Sequence, residues 1–275
     1  MKILSFTLFL CLSSLDFLKG VTIEELNQTA DKAARSAYTR INKNWKYPNG
    51  VDKDTSLPTA WENVVIETTA GPTRFLSWRA DKQSNLKDAL EELFDKEGLT
   101  TECSNAARLV RLYVLCNILT PQKTTALISQ TRQRYPDSEF NFMNQLSWSF
   151  IAQTQHTEDV GIYCFPFVNL EKYPEFKPNG PDRNHNVVRL LDKTYLGFEP
   201  NFFSLPKTDE EVEQLLFERF IEPKDVAPSQ EETHTKYSGI ISKTPALFRK
   251  MRADYQAQTG FFKLDMTAVK LFLEK

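Results

Sequence analysis

Histidine is scarce in this chain. Only His156, His185 and His234 occur in 275 residues, so chemistry that passes protons through an imidazole has few places to happen. Cysteine is scarce as well: Cys11 falls in an apolar N-terminal stretch, which leaves Cys103, Cys116 and Cys164. No CxxC pair and no Cys/His cluster suited to zinc is present, so neither a metal nor a cofactor is implied. Positive charge is not in excess, with 34 Lys and Arg against 36 Asp and Glu and a pI near 6.0; that balance argues against a general nucleic-acid binder. After the first residues no apolar run is long enough to be a membrane span, and there is no internal repeat or low-complexity tract.

Lys2, the apolar run Ile3 to Leu12 and a more polar tail ending at Lys19-Gly20 read as an export signal over 1–20, giving a secreted or periplasmic protein. In an oxidising compartment three remaining cysteines leave at least one thiol unpaired within the chain. A Cys116–Cys164 bridge would leave Cys103 as that thiol.

The pattern predicts a helical and loop segment over 21–74, a core over 75–205 and a helical extension over 206–275. Thr22 with Glu25 three residues later forms a capping box at the head of a helix reaching residue 46. Residues 63–69 read as a strand, 86–94 as a helix closed near Gly98, and 140–153 as an amphipathic helix. Short strands follow over 161–165, 186–191 and 195–198, the last two joined by a tight turn at Asp192-Lys193-Thr194. Helices return over 210–220, 245–255 and 267–274. Helices, an antiparallel sheet and helices again make the fold class α+β.

The chemistry gathers at Thr101-Glu102-Cys103-Ser104-Asn105-Ala106-Ala107. Leu109, Val110, Tyr113, Val114 and Leu119 repeat at helical spacing, Asn105, Arg108 and Arg111 fall between them, and Pro121 supplies a stop. Cys103 thus stands at a helix start, where backbone N–H groups and the positive end of the dipole favour a thiolate and can hold an oxyanion. Of the histidines, His156 and His234 lie in polar stretches that read as solvated loops, whereas His185 opens a strand and is the expected proton-transfer partner. Glu102 precedes the nucleophile, and Glu199 and Asn201 are placed to orient the His185 ring. Trp148, Phe165 and Tyr195 are expected to wall a substrate channel, with Phe167 and Tyr173 nearby.

These residues carry a resemblance. Leu86 to Phe94, then Glu102-Cys103-Ser104-Asn105-Ala106-Ala107 and a Tyr-containing apolar helix resemble the core of the bacterial spore-coat protein-glutamine γ-glutamyltransferases (transglutaminases), which have a papain-like, NlpC/P60-type fold. In that family a Glu-Cys-x-x-Ala step opens a helix and its cysteine is the nucleophile, which corresponds to Cys103. A second block is similar in order and spacing: Gly161-Ile162-Tyr163-Cys164-Phe165-Pro166-Phe167-Val168-Asn169, a loop from Pro174 to Pro181, Asn184-His185-Asn186-Val187-Val188 and Tyr195-Leu196-Gly197-Phe198. The likeness runs from Phe75 to Asn201. It departs where the family has the glutamate of Gly-Glu-Asn, replaced here by His185, and where Gly-His-Gly becomes Gly197-Phe198-Glu199. The resemblance implies attack of Cys103 on a glutamine carboxamide of a protein or peptide and transfer to a lysine amine. The departures leave open transfer to water as a deamidase, a cysteine amidase or peptidase with a Cys-His dyad, or a non-catalytic binding or toxin-like module.

Overall fold

The computed structural model describes residues 20–46, 56–68, 71–155, 160–198 and 202–275, with side chains left out over 66–68 and 71–74. The segment expected to be an export signal, apart from Gly20, and His156, Glu199 and Asn201 lie outside the described residues. Helix α1 (Ile23–Asn44) begins with the expected capping box: the Thr22 hydroxyl accepts from the Glu25 N–H at 3.1 Å and the Glu25 carboxylate accepts from the Thr22 N–H at 2.7 Å. Its buried stripe, Leu26, Ala30, Ala33, Ala34, Ala37, Tyr38 and Ile41, is rich in alanine, and small side chains let α1 lie close against helix α3 (Cys103–Ile118).

Between them come the hairpin β1 (Trp61–Thr68) and β2 (Gly71–Trp78) and helix α2 (Leu86–Phe94), capped by Asn85. Helix α3 is buried on most of its circumference, as befits a helix enclosed on several sides. Pro121 does not merely stop it. Thr120 caps a new helix, α4 (Pro121–Arg134), in which Pro121 takes the first position, where its missing N–H costs nothing.

The helix expected over 140–153 is shorter. Helix α5 (Glu139–Ser147) ends before Phe150, which has φ of 60°, and Ile151–Thr154 becomes strand β3. Strands β4 (Tyr163–Val168), β5 (Asn184–Arg189) and β6 (Tyr195–Leu196) follow, with a short helix α6 (Tyr173–Phe176) between the first two. Lys193 sits at φ 66° in the tight turn before β6. The last part comprises α7 (Asp209–Ile221), α8 (Glu231–Lys243), α9 (Pro245–Thr259), strand β7 (Phe261–Leu264) and α10 (Met266–Glu274).

Residues 206–275 are therefore more than a helical extension. Strand β7 lies inside the five-stranded antiparallel sheet, whose order is β3-β7-β4-β5-β6, and α10 returns to pack on α1. His234, read as a loop residue, is buried on α8 with a ring nitrogen 2.8 Å from the Phe220 carbonyl oxygen. The helical spacing was hidden by the polar residues around it.

Alternation along the strands divides two cores. Ile162, Cys164 and Val188 join α1 and α3 on one side of the sheet. Tyr163, Phe165, Phe167 and Val187 join Phe203 and helices α7, α8 and α9 on the other. The described fold is thus α+β, with helices on both faces of an antiparallel sheet. Among the described residues no helix is long and apolar enough to cross a membrane. Cys103, Cys116 and Cys164 are all unbridged, so the Cys116–Cys164 pairing does not form.

Candidate active site

Cys103 is the first residue of α3. Glu102 takes the N-cap position but makes no side-chain capping bond and is exposed, so the N–H groups of the first turn receive nothing from it. The half-buried Cys103 thiol instead faces Asn186: Nδ2 of Asn186 donates to Sγ at 3.2 Å. An amide donor aimed at sulfur stabilises negative charge that develops there.

His185 is next to Asn186 on β5, and successive strand side chains point to opposite faces. The His185 ring accordingly lies in the other core, edge-on to Phe203 at 6.1 Å between centroids, with Nε2 3.5 Å from the Asp182 carboxylate. Burial raises the Asp182 carboxyl above its usual range, opposed by Arg219. A Cys103–His185 dyad is therefore not assembled: one residue of strand parity exchanges the histidine for an asparagine. Tyr195 also belongs to the far face, where its hydroxyl donates to Asp209 at 2.9 Å and its ring meets Phe167 at 5.4 Å. It does not wall the site. Phe167 and Tyr173 are packed in the same far core.

Trp148 borders a cavity of about 310 Å³, together with Ser104, the residue after Cys103, and Asn186, the donor to its sulfur; Phe165 also reaches its edge, but its ring packs in the far core against Phe167 and Tyr195. The helix face that lines it is Ser104, Ala107, Arg108 and Arg111, the i, i+3, i+4, i+7 stripe of α3. Alanine at the middle of that stripe leaves the room. Opposite stand Phe140, Asn144 and Trp148 at successive four-residue steps, and Cys164 and Pro166 close one side from β4.

Arg108 and Arg111 fall between the apolar repeats of α3, positions that ordinarily meet water. Here α5 and β2 cover that face. Arg108 is 4% exposed, its guanidinium sits 5.0 Å from the Phe75 ring centroid, and Nη2 donates to the Leu76 carbonyl at 2.8 Å. Burial, with the neighbouring Arg111 cation, brings it down to about 10. Arg111 lies 4.5 Å from the Trp148 ring centroid and is also lowered by burial. Tyr38 on α1 is fully buried and stacked on Phe198 at 4.4 Å. Burial first, then the nearby Cys164 and Cys103 sulfurs, raise its phenol far above the ordinary range, so it stays a proton donor.

The three thiols are expected to separate cleanly in reactivity. Burial pushes Cys116 up to about 12 and Cys164 up to about 11, which keeps both protonated at about pH 8, where thiolate is the reactive form. Iodoacetamide on the folded protein, read by peptide mapping, should label Cys103 well before either. Equal labelling of Cys164 would show that its burial is not maintained in solution.

Asn186, Tyr38, Asn144 and the arginine pair were not singled out from sequence as site residues. The available signal was two arginines three apart in a helix otherwise fit for burial. Comparison of the chain with protein-family models, with curated proteins and with solved structures gave no match in any of the three.

Proposed function

We propose that the protein is an exported thiol acyltransferase of the protein-glutamine γ-glutamyltransferase type, with Cys103 as nucleophile and a papain-like core. The observation that carries this reading is the Asn186 amide donating to Cys103 Sγ at 3.2 Å, at an uncapped helix start beside a cavity. A nucleophile-bearing helix packed on an antiparallel sheet supports the papain-like assignment. Export rests on the apolar character of residues 1–20.

In the first step sulfur attacks the glutamine carboxamide carbon, the C–N bond breaks, and the thiol proton leaves with the nitrogen as ammonia. A γ-glutamyl thioester remains on Cys103. In the second, a primary amine attacks the thioester, an amide forms, and the proton it sheds restores the thiol. Asn186 and the N–H groups of the first turn of α3 stabilise the charge that passes between sulfur and oxygen. With the imidazole on the other face of the sheet, proton transfer falls to the reacting partners themselves. That arrangement favours slow turnover over fast, because general acid–base catalysis by a matched group is worth about 10²–10⁴-fold.

The test is incorporation of a fluorescent primary amine into dimethyl-casein, with ammonia release measured in parallel. Incorporation that disappears in Cys103→Ala supports the transferase. Ammonia without incorporation would move the reading to a deamidase, and neither signal from folded protein would sink the glutamine acyl-transfer reading, leaving a peptidase or a non-catalytic module.

A further inference from the structure

We infer that the α3 cavity binds a small amphipathic anion, whose oxyanion head, a carboxylate or a phosphate monoester, is held by Arg108 and Arg111 and whose flat apolar body lies among the aromatic rings. The two guanidiniums stand three residues apart on one face of α3 and both border the same space. Arg108 is 4% exposed and uses Nη2 on the Leu76 carbonyl, yet its Nε is buried with no hydrogen-bond partner. The Nε of Arg111 is buried and unpartnered as well. Among the described residues neither has a carboxylate within ion-pair distance.

Two other arginines of this protein are held by carboxylates. Arg252, 5% exposed, is held by the Glu213 carboxylate, with Nε donating at 3.0 Å. Arg132 is paired with Glu139 through both terminal nitrogens. Two neighbouring cations in an apolar enclosure repel each other and have lost hydration, and an anion between them relieves both costs. A guanidinium edge that includes Nε presents parallel N–H groups matched to a carboxylate or phosphate.

The walls specify the rest of the ligand. Phe75, Phe140 and Trp148 line the space with aromatic side chains, and Asn105 and Asn144 bring amide groups to it. A bare inorganic ion would leave the rings unused, whereas about 310 Å³ is at the small end of pockets that enclose organic ligands. The inference goes beyond acyl transfer, since a glutamine carboxamide carries no charge, and it stands whether or not Cys103 turns over.

Calorimetric titration of the full chain with 3-phenylpropionate, phenyl phosphate and the neutral 3-phenylpropanamide tests it by binding alone. At least one anion should bind about tenfold or more tighter than the amide, the increment expected of a charge-assisted pair. Whichever anion binds better assigns the head group. Arg111→Gln should remove the preference; it is the informative variant because Arg111, unlike Arg108, anchors no backbone carbonyl. Equal affinity for amide and anions, no binding of either anion, or an unchanged preference in Arg111→Gln would each overturn the inference.

Discussion

Replacing Asn186 by leucine is expected to lower amine incorporation by about 10²- to 10³-fold, the loss typical when a donor to a developing charge is removed, while leaving the fold intact. The side chain is similar in volume and only the N–H donor to sulfur, at 3.2 Å, is lost. His185→Asn should do the reverse. It disturbs the packing against Phe203 and the approach to Asp182, so thermal stability falls while the specific activity of the folded fraction remains roughly unchanged. Circular dichroism and the amine assay on both variants separate the effects. If His185→Asn abolished turnover and Asn186→Leu spared it, the Cys103–Asn186 pair would have no catalytic meaning and the histidine dyad would have to be restored.

The contrast shows where local sequence information stops. The helix start at Cys103, the Thr22–Glu25 box and the turn at Lys193 were legible because each is set by residues within four positions of one another. The side of the sheet to which His185 points is not local. It depends on the register in which Phe167 pairs with His185 and Pro166 with Asn186, and a shift of one residue reverses both faces. Residue chemistry alone selected the histidine; strand parity selects the asparagine. The role of the arginine stripe is hidden for a related reason. Periodicity reveals that Arg108 and Arg111 share a face, but not that α5 and β2 roof it over, and a roofed polar face becomes a lined cavity. Tyr195 left the site by the same parity, as did the Phe165 ring, whereas Trp148 borders the cavity.

The C-terminal segment hid its role most completely, and Gln256 makes the clearest test of that role. This residue of α9 is 3% exposed and lies against β4, where its Oε1 accepts from the Val168 N–H at 2.9 Å and its Nε2 donates to the Pro166 carbonyl at 3.1 Å. The side-chain amide thereby continues the pairing that β7 makes with β4 only at Tyr163 and Lys263. Proline at position 166 has no N–H to give, so its carbonyl and the next available N–H are what a neighbour can satisfy, and a glutamine supplies one donor and one acceptor. Gln256→Leu removes both bonds, with a weaker one from Nε2 to the Gly260 carbonyl at 3.4 Å, and leaves the Val168 N–H and the Pro166 carbonyl buried without them, at a cost of about 1–3 kcal/mol for each group. Urea unfolding should show a total loss of roughly 2–6 kcal/mol with little change in slope. Gln258→Leu, two residues along and exposed, should stay within about 0.5 kcal/mol of the parent. Because Pro166 also borders the α3 cavity, the Gln256 variant should in addition weaken anion binding before it unfolds, a coupling between α9 and the site through one strand. Equal stability of the two variants would mean that water replaces the amide at no cost and that α9 is held to the sheet by its apolar contacts alone.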